Sequence, residues 1–127
     1  GHQLVAMTRY VIATSLYVLD HRQEALDMYK DALRLLKQLQ TADHVDVAKV
    51  QGYYADMLGE MGKHAEALTL QKEAYELMTK MFGECHEEVA GSLNNIGHVL
   101  SLMDDAVGSL PFYQSSLEVL RKLFGDK

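Results

Sequence analysis

The chain has one cysteine, one proline and no tryptophan in 127 residues, and each scarcity removes a class of protein. A lone Cys85 rules out an internal disulfide and a cysteine-based zinc site. Strand-rich folds bring β-branched runs and turn clusters; their absence, with plentiful Leu, Ala, Met, Glu and Lys, points to helix. No stretch approaches the roughly 18 apolar residues that a membrane-spanning helix needs, and no apolar signal segment opens the chain. A cytoplasmic location with no membrane partner is therefore expected. Basic residues are also short, 12 Lys and Arg against 18 Asp and Glu for a formal charge of −6. Nucleic-acid affinity depends on cations displacing counterions from phosphates, so no nucleic acid is expected as a partner.

What the chain does contain is a repeat. With 48% hydrophobic and 24% charged residues it has the composition of one folded domain. The stretch from His86 to Gly97, His-Glu-Glu-Val-Ala-Gly-Ser-Leu-Asn-Asn-Ile-Gly, is the clearest copy of a unit that also starts at His44 and His2, each start 42 residues from the next. The single domain 1–127 thus divides into units 2–43, 44–85 and 86–127, expected to be a fragment of a longer array. Gly1-His2 is also what protease removal of an affinity tag leaves, and the period holds without it. Five positions are identical in all three units: His2, His44 and His86; Val5, Val47 and Val89; Ala6, Ala48 and Ala90; Leu16, Leu58 and Leu100; Leu26, Leu68 and Leu110. Small residues align too: Ala13, Ala55 and Gly97; Ala25, Ala67 and Ser109; Ala32, Ala74 and Ser116. Small side chains at fixed places in paired helices let backbones approach, while larger neighbours fill the gaps. The units carry formal charges of 0, −3 and −3. That acidity reads as a solvated outer face, with a basic partner as the alternative.

Apolar residues three and four apart predict two helices per unit. The first unit gives about Gln3 to Leu19 and Gln23 to Gln40, interrupted by Asp20-His21-Arg22. The second gives about Val45 to Glu60 and Ala65 to Phe82, with a turn at Gly62-Lys63 and a stop at Gly83. Asp43 is the expected N-cap where the second unit begins. In the third, Glu87 to Leu102 is followed by a turn at Asp104-Asp105. Pro111 would break a helix interior at about 3 kcal/mol. The last helix is therefore expected to start late, with Ser109 as N-cap and Pro111 in its first turn, or to kink near Gly108.

These residues resemble the tetratricopeptide repeat family. Its pattern of small-x-x-large in helix A, then Ala-x-x-x-aromatic-x-x-Ala in helix B, stands here as Ala13 and Leu16 with Ala25, Tyr29 and Ala32. The second unit has Ala55, Leu58, Ala67, Gln71 and Ala74, and the third Gly97, Leu100, Ser109, Tyr113 and Ser116. Gln71 departs from the aromatic position and the two serines from alanine. Units of 42 residues that open His-x-x-Val-Ala, carry Ser-Leu-Asn-Asn-Ile-Gly and end near Phe-Gly are similar to those of kinesin light chains.

The resemblance implies an all-α, right-handed α-solenoid of three helix-turn-helix repeats whose A helices line a concave groove for a peptide or partner helix. Carried over by position, the groove residues are Met7, Tyr10, Val11, Thr14 and Tyr17; Lys49, Tyr53, Asp56 and Glu60; and Asn94, Asn95, His98 and Ser101. Tyrosine offers rigid contact area with a polar tip, and an amide both donates to and accepts from a peptide backbone. For Tyr10 and Tyr17, packing against a neighbouring helix is an equal alternative. The residues with which one subset of the family grips a C-terminal carboxylate are missing, since the matching positions hold Tyr10, Thr14, Tyr53, Gly91 and Asn95.

Catalytic residues, cofactors and metals are not expected. His2, His44 and His86 occupy equivalent sites in successive units, separated by at least roughly one helix diameter of 10 Å, too far to share a metal with bonds near 2 Å; they mark the turns between units. No nucleophilic triad, phosphate-binding glycine loop or metal-ligand spacing stands out. The expected function is a non-catalytic scaffold for a protein or peptide partner. The alternative is a self-assembly module joined through uncapped ends, where Leu117, Leu120 and Phe124 would lie partly uncovered.

Overall fold

In a computed structural model describing residues 2–38 and 44–125, and the backbone alone of His2, Gln3 and His44, the chain forms six α-helices. They are α1 His2–Val18, α2 Arg22–Gln38, α3 His44–Glu60, α4 His64–Phe82, α5 Glu87–Leu102 and α6 Ala106–Phe124. No strand occurs among the described residues. The helices pack as antiparallel pairs, α1 with α2, α3 with α4 and α5 with α6, and α3 also touches α5 directly. The predicted boundaries hold within about two residues, except at the start of α6 and at the end of α2, whose expected last residue, Gln40, lies outside the described residues. The expected N-cap Asp43, the preceding Thr41 and Ala42, and the side chains of His2 and His44 lie outside the described residues.

One device turns the chain inside every unit. Asp20, Gly62 and Asp104, spaced 42 apart, all adopt left-handed backbone, with φ of 68°, 86° and 59°. Behind them His21 N donates to Leu16 O, Lys63 N to Leu58 O and Asp105 N to Leu100 O at 2.8 to 2.9 Å. These are the six-to-one bonds of a Schellman motif, which satisfy helix carbonyls that would otherwise go unpaired. The leucine repeated in all three units therefore occupies one structural place, the third residue from the helix end. His86 caps α5, its Nδ1 accepting from Glu88 N at 3.0 Å, while its ring stacks on Phe82 with centroids 4.1 Å apart. This is one turn-marking histidine with a described side chain, and it closes the joint between the second and third units.

The small positions are where helices meet. Ala13, Ala25, Ala32, Ala55, Ala67 and Ala74 are all buried. The departures from alanine have local reasons. A Cβ on Gly97 would stand 3.1 Å from the Tyr113 ring, so glycine makes room for that tyrosine. Ser116 is buried but donates its hydroxyl to Ala90 O on α5 at 2.8 Å, which removes the penalty of a bare polar group.

The expectation for α6 is corrected. Asp105, not Ser109, is the N-cap, its Oδ1 accepting from Gly108 N at 2.8 Å. The helix thus begins at Ala106 and Pro111 lies inside it. Ser109 is instead a buried contact residue in the place of Ala25 and Ala67, with its hydroxyl donating to Ala106 O at 3.0 Å. The carbonyl that Pro111 leaves without an intrahelical partner belongs to Val107, which is almost fully exposed, so solvent can serve it.

Candidate functional site

Between α3 and α5, with α4 as its floor, lies a pocket of about 290 Å³. Residues three and four apart share a helix face, and α3 presents Ala48, Lys49, Gly52, Tyr53 and Asp56 to it. From the other side α5 contributes Glu88, Gly91, Ser92 and Asn95, and below them α4 contributes Gln71, Ala74 and Met78. The hollow exists because Ala48, Gly52, Ala74, Gly91 and Ser92 are small where two helices and their shared support would otherwise interlock.

Its charged groups are unevenly satisfied. Lys49 Nζ stands 3.9 Å from Glu88 Oε1, and both side chains are partly exposed. Asp56 forms no such pair with a lysine or arginine among the described residues. Burial pushes its carboxyl above the usual carboxylate range, while nearby His98 and a hydrogen bond from Gln71 pull the other way. Gln71 is fully buried, and its Nε2 donates to Gly52 O at 3.0 Å and to Asp56 Oδ1 at 2.8 Å. Two acceptors facing one end of the amide fix its orientation. The Oε1 atom is left buried with no partner among the described residues.

The predicted site residues divide into three groups. Lys49, Tyr53, Asp56 and Asn95 line the pocket together. Asn94 and His98 are exposed on α5 outside its lining, and Glu60 and Ser101 are exposed further along. Those on α1 sit elsewhere. The Tyr10 ring meets those of Tyr29 and Tyr53, each at 5.6 Å between centroids. Burial and these two tyrosines push its hydroxyl up to about 12. Thr14 bonds the Tyr29 hydroxyl at 2.6 Å. Tyr17 lies under the Arg22 guanidinium, 5.4 Å from its ring centroid, with a buried hydroxyl that has no described partner. Met7 packs on the core and Val11 is exposed.

Sequence reasoning missed Glu88 and Gln71. Glu88 follows the helix cap and carried no signal beyond its charge. Gln71 did carry one, as the polar residue at a place where the other units hold Tyr29 and Tyr113. Among the described residues, no group of three or more His, Cys, Asp or Glu is placed to hold a metal, and no helix is long and apolar enough to cross a membrane.

Comparison with known proteins agrees with this architecture. A tetratricopeptide repeat family model matches residues 3–80 and a second matches residues 89–127. No curated protein matches the chain in sequence. Among solved structures, BtubC (BKLC) from P. vanneervenii superposes with a TM-score of 0.80 at 18% identity, over 98% of this chain and 49% of that one. The nearly identical TPR-like repeats assigned to a kinesin light chain of Podosopora anserina give 0.83 at 12% identity, over 95% and 57%. The N-terminal domain of stress-induced protein-1 from C. elegans gives 0.73 at 16%, over 99% and 89%. The chain thus spans about half the length of the first two.

Proposed function

Because this chain belongs to the tetratricopeptide repeat family, a family of protein-interaction modules, we propose that the hollow between α3 and α5 is where it holds an extended segment of a partner protein. The observation that carries this reading is the pairing of Tyr53 and Asn95 on the rim of one pocket. They are 42 residues apart, so each occupies the same place in its own unit. Half-exposed Tyr53 supplies contact area, and the Asn95 amide both donates to and accepts from a peptide backbone.

The test is to select binders from a random heptapeptide library and titrate the best peptide against variants. Asn95→Ala removes one or two hydrogen bonds of about 0.5–1.5 kcal/mol each and should weaken binding roughly tenfold with an unchanged melting temperature. Ala55→Leu overfills a fully buried position and should instead lower stability by about 1–3 kcal/mol. An Asn95→Ala protein that binds normally, or that melts as early as Ala55→Leu, places the groove elsewhere.

A second reading, self-association, has its own observation. Val47 and Val89 are buried, but the equivalent Val5 is exposed, together with Leu4, Val11 and Ile12 on α1; Leu110, Leu117 and Phe124 are exposed on α6. A second copy stacked against either face would cover the apolar surface that neighbouring units cover inside the array.

A further inference from the structure

Resting on the reading that an extended peptide occupies this groove, we propose that the pocket between α3 and α5 receives one lysine or arginine side chain of that peptide, with Asp56 as its counter-ion and Gln71 Oε1 as a second acceptor. Size comes first. At about 290 Å³ the hollow lies just below the range of about 300–1,000 Å³ typical of small-molecule sites, which suits a single long side chain.

Charge and hydrogen bonding then select the kind of side chain. Glu88 has Lys49 beside it, which leaves Asp56, with His98 nearby, as the pocket carboxylate without a lysine or arginine partner among the described residues. A half-buried carboxylate is stabilised in its charged form by an opposite charge brought beside it. Gln71 adds an independent sign, because a fully buried amide oxygen lacks a donor among the described residues when the great majority of buried polar atoms have one. That oxygen stands 3.8 Å from where a Cβ on Gly52 would be, so it lies under the opening that the glycine leaves in the pocket wall. An ammonium or guanidinium group has several donors and no acceptor, the complement of a carboxylate beside an orphaned carbonyl oxygen. The aliphatic stem of either residue would lie on Ala48, Ala74 and Met78. An acidic side chain would meet Asp56 and the amide oxygen with like polarity.

The first unit provides an internal control. There the equivalent pair is Thr14 and Tyr29, whose hydroxyls bond each other at 2.6 Å, neutral and mutually satisfied. Replacing both members, tyrosine by glutamine and threonine by aspartate, is what leaves a negative charge and a spare acceptor in the second unit alone of these two.

The experiment uses acetylated, amidated heptapeptide sub-libraries, each with one residue fixed at one position, titrated by fluorescence polarisation. For the wild-type chain, fixed lysine or arginine at one position should bind at least about tenfold more tightly than norleucine or glutamate there. Asp56→Asn should abolish that preference, bringing lysine and arginine down to the level of norleucine. Gln71→Tyr, which restores the residue type of the other units, should block the basic side chain by filling the pocket. Circular dichroism melts of both variants check that each still folds. Sub-libraries that bind with no preference for a basic residue, or a preference that survives Asp56→Asn, overturn this inference and leave the groove standing. No binding by any sub-library overturns the groove reading and this inference with it.

Discussion

Replacing Gly62 by alanine isolates a conformational penalty from a packing one. Gly62 sits at φ 86° in the turn between α3 and α4, and a Cβ built there meets nothing within 4 Å. No clash contributes. What remains is the left-handed backbone, which costs an L-residue roughly 1–2 kcal/mol. Against this, alanine restricts the unfolded chain and returns about 0.4–1 kcal/mol. The net loss should be about 1 kcal/mol, equivalent in a chain of this size to a fall in Tm of about 4 °C. Gly62→Asp should lose less, because aspartate adopts the same conformation at positions 20 and 104 and tolerates it better than alanine. Urea titration should show a lower midpoint at unchanged slope. A Gly62→Ala midpoint at or above wild type, or an aspartate variant weaker than the alanine one, refutes the assignment of this turn to backbone conformation.

Three further outcomes are expected. Since burial raises the folded-state pKa of Asp56 above its ordinary 3.8, the native state binds protons more readily than the unfolded one, and this group's contribution to stability rises as pH falls through the folded pKa. Asp56→Asn should therefore melt later than wild type at pH 7, with the gap closing on acidification; a gap that widens in acid contradicts the burial. Tyr29→Phe removes the 2.6 Å bond to Thr14 from a buried ring and should lower stability by about 0.5–1.5 kcal/mol, and adding Thr14→Ala should then lower it by less than Thr14→Ala does in wild type. If the exposed face of α6 mediates association, light scattering will show mass growing with concentration, and Leu117→Glu will suppress it; an unchanged oligomer places the contact elsewhere.

The five identical positions and the aligned small residues were enough to read the helices and their pairing, because helical periodicity and local turn chemistry are properties of short stretches. Even the three turns were legible, as Asp20, Gly62 and Asp104 are residue types that accept left-handed backbone. The misplaced start of α6 shows the limit of a local rule. Pro111 read as a first-turn residue by its own chemistry, yet burial of Ser109 and the Asp105 cap hold the helix in register with its equivalents, and Val107 faces solvent where the lost hydrogen bond falls. At the site, Lys49, Tyr53, Asp56 and Asn95 came from position in the repeat, whereas Gln71 and Glu88 did not. Their roles depend on three helices meeting.

By itself, then, the sequence determined the period, the six helices and which face of each is apolar. Only the tertiary structure decided what equivalent residues do. Val5, Val47 and Val89 are the same residue at the same place, yet the first is exposed and the other two are buried; likewise Leu26 is buried and Leu110 exposed. A side chain's pattern fixes the direction in which it points, but its burial depends on which neighbouring unit covers that direction. The pocket follows the same logic, for Asp56, Gln71 and Asn95 line one hollow only when α4 and α5 pack against α3.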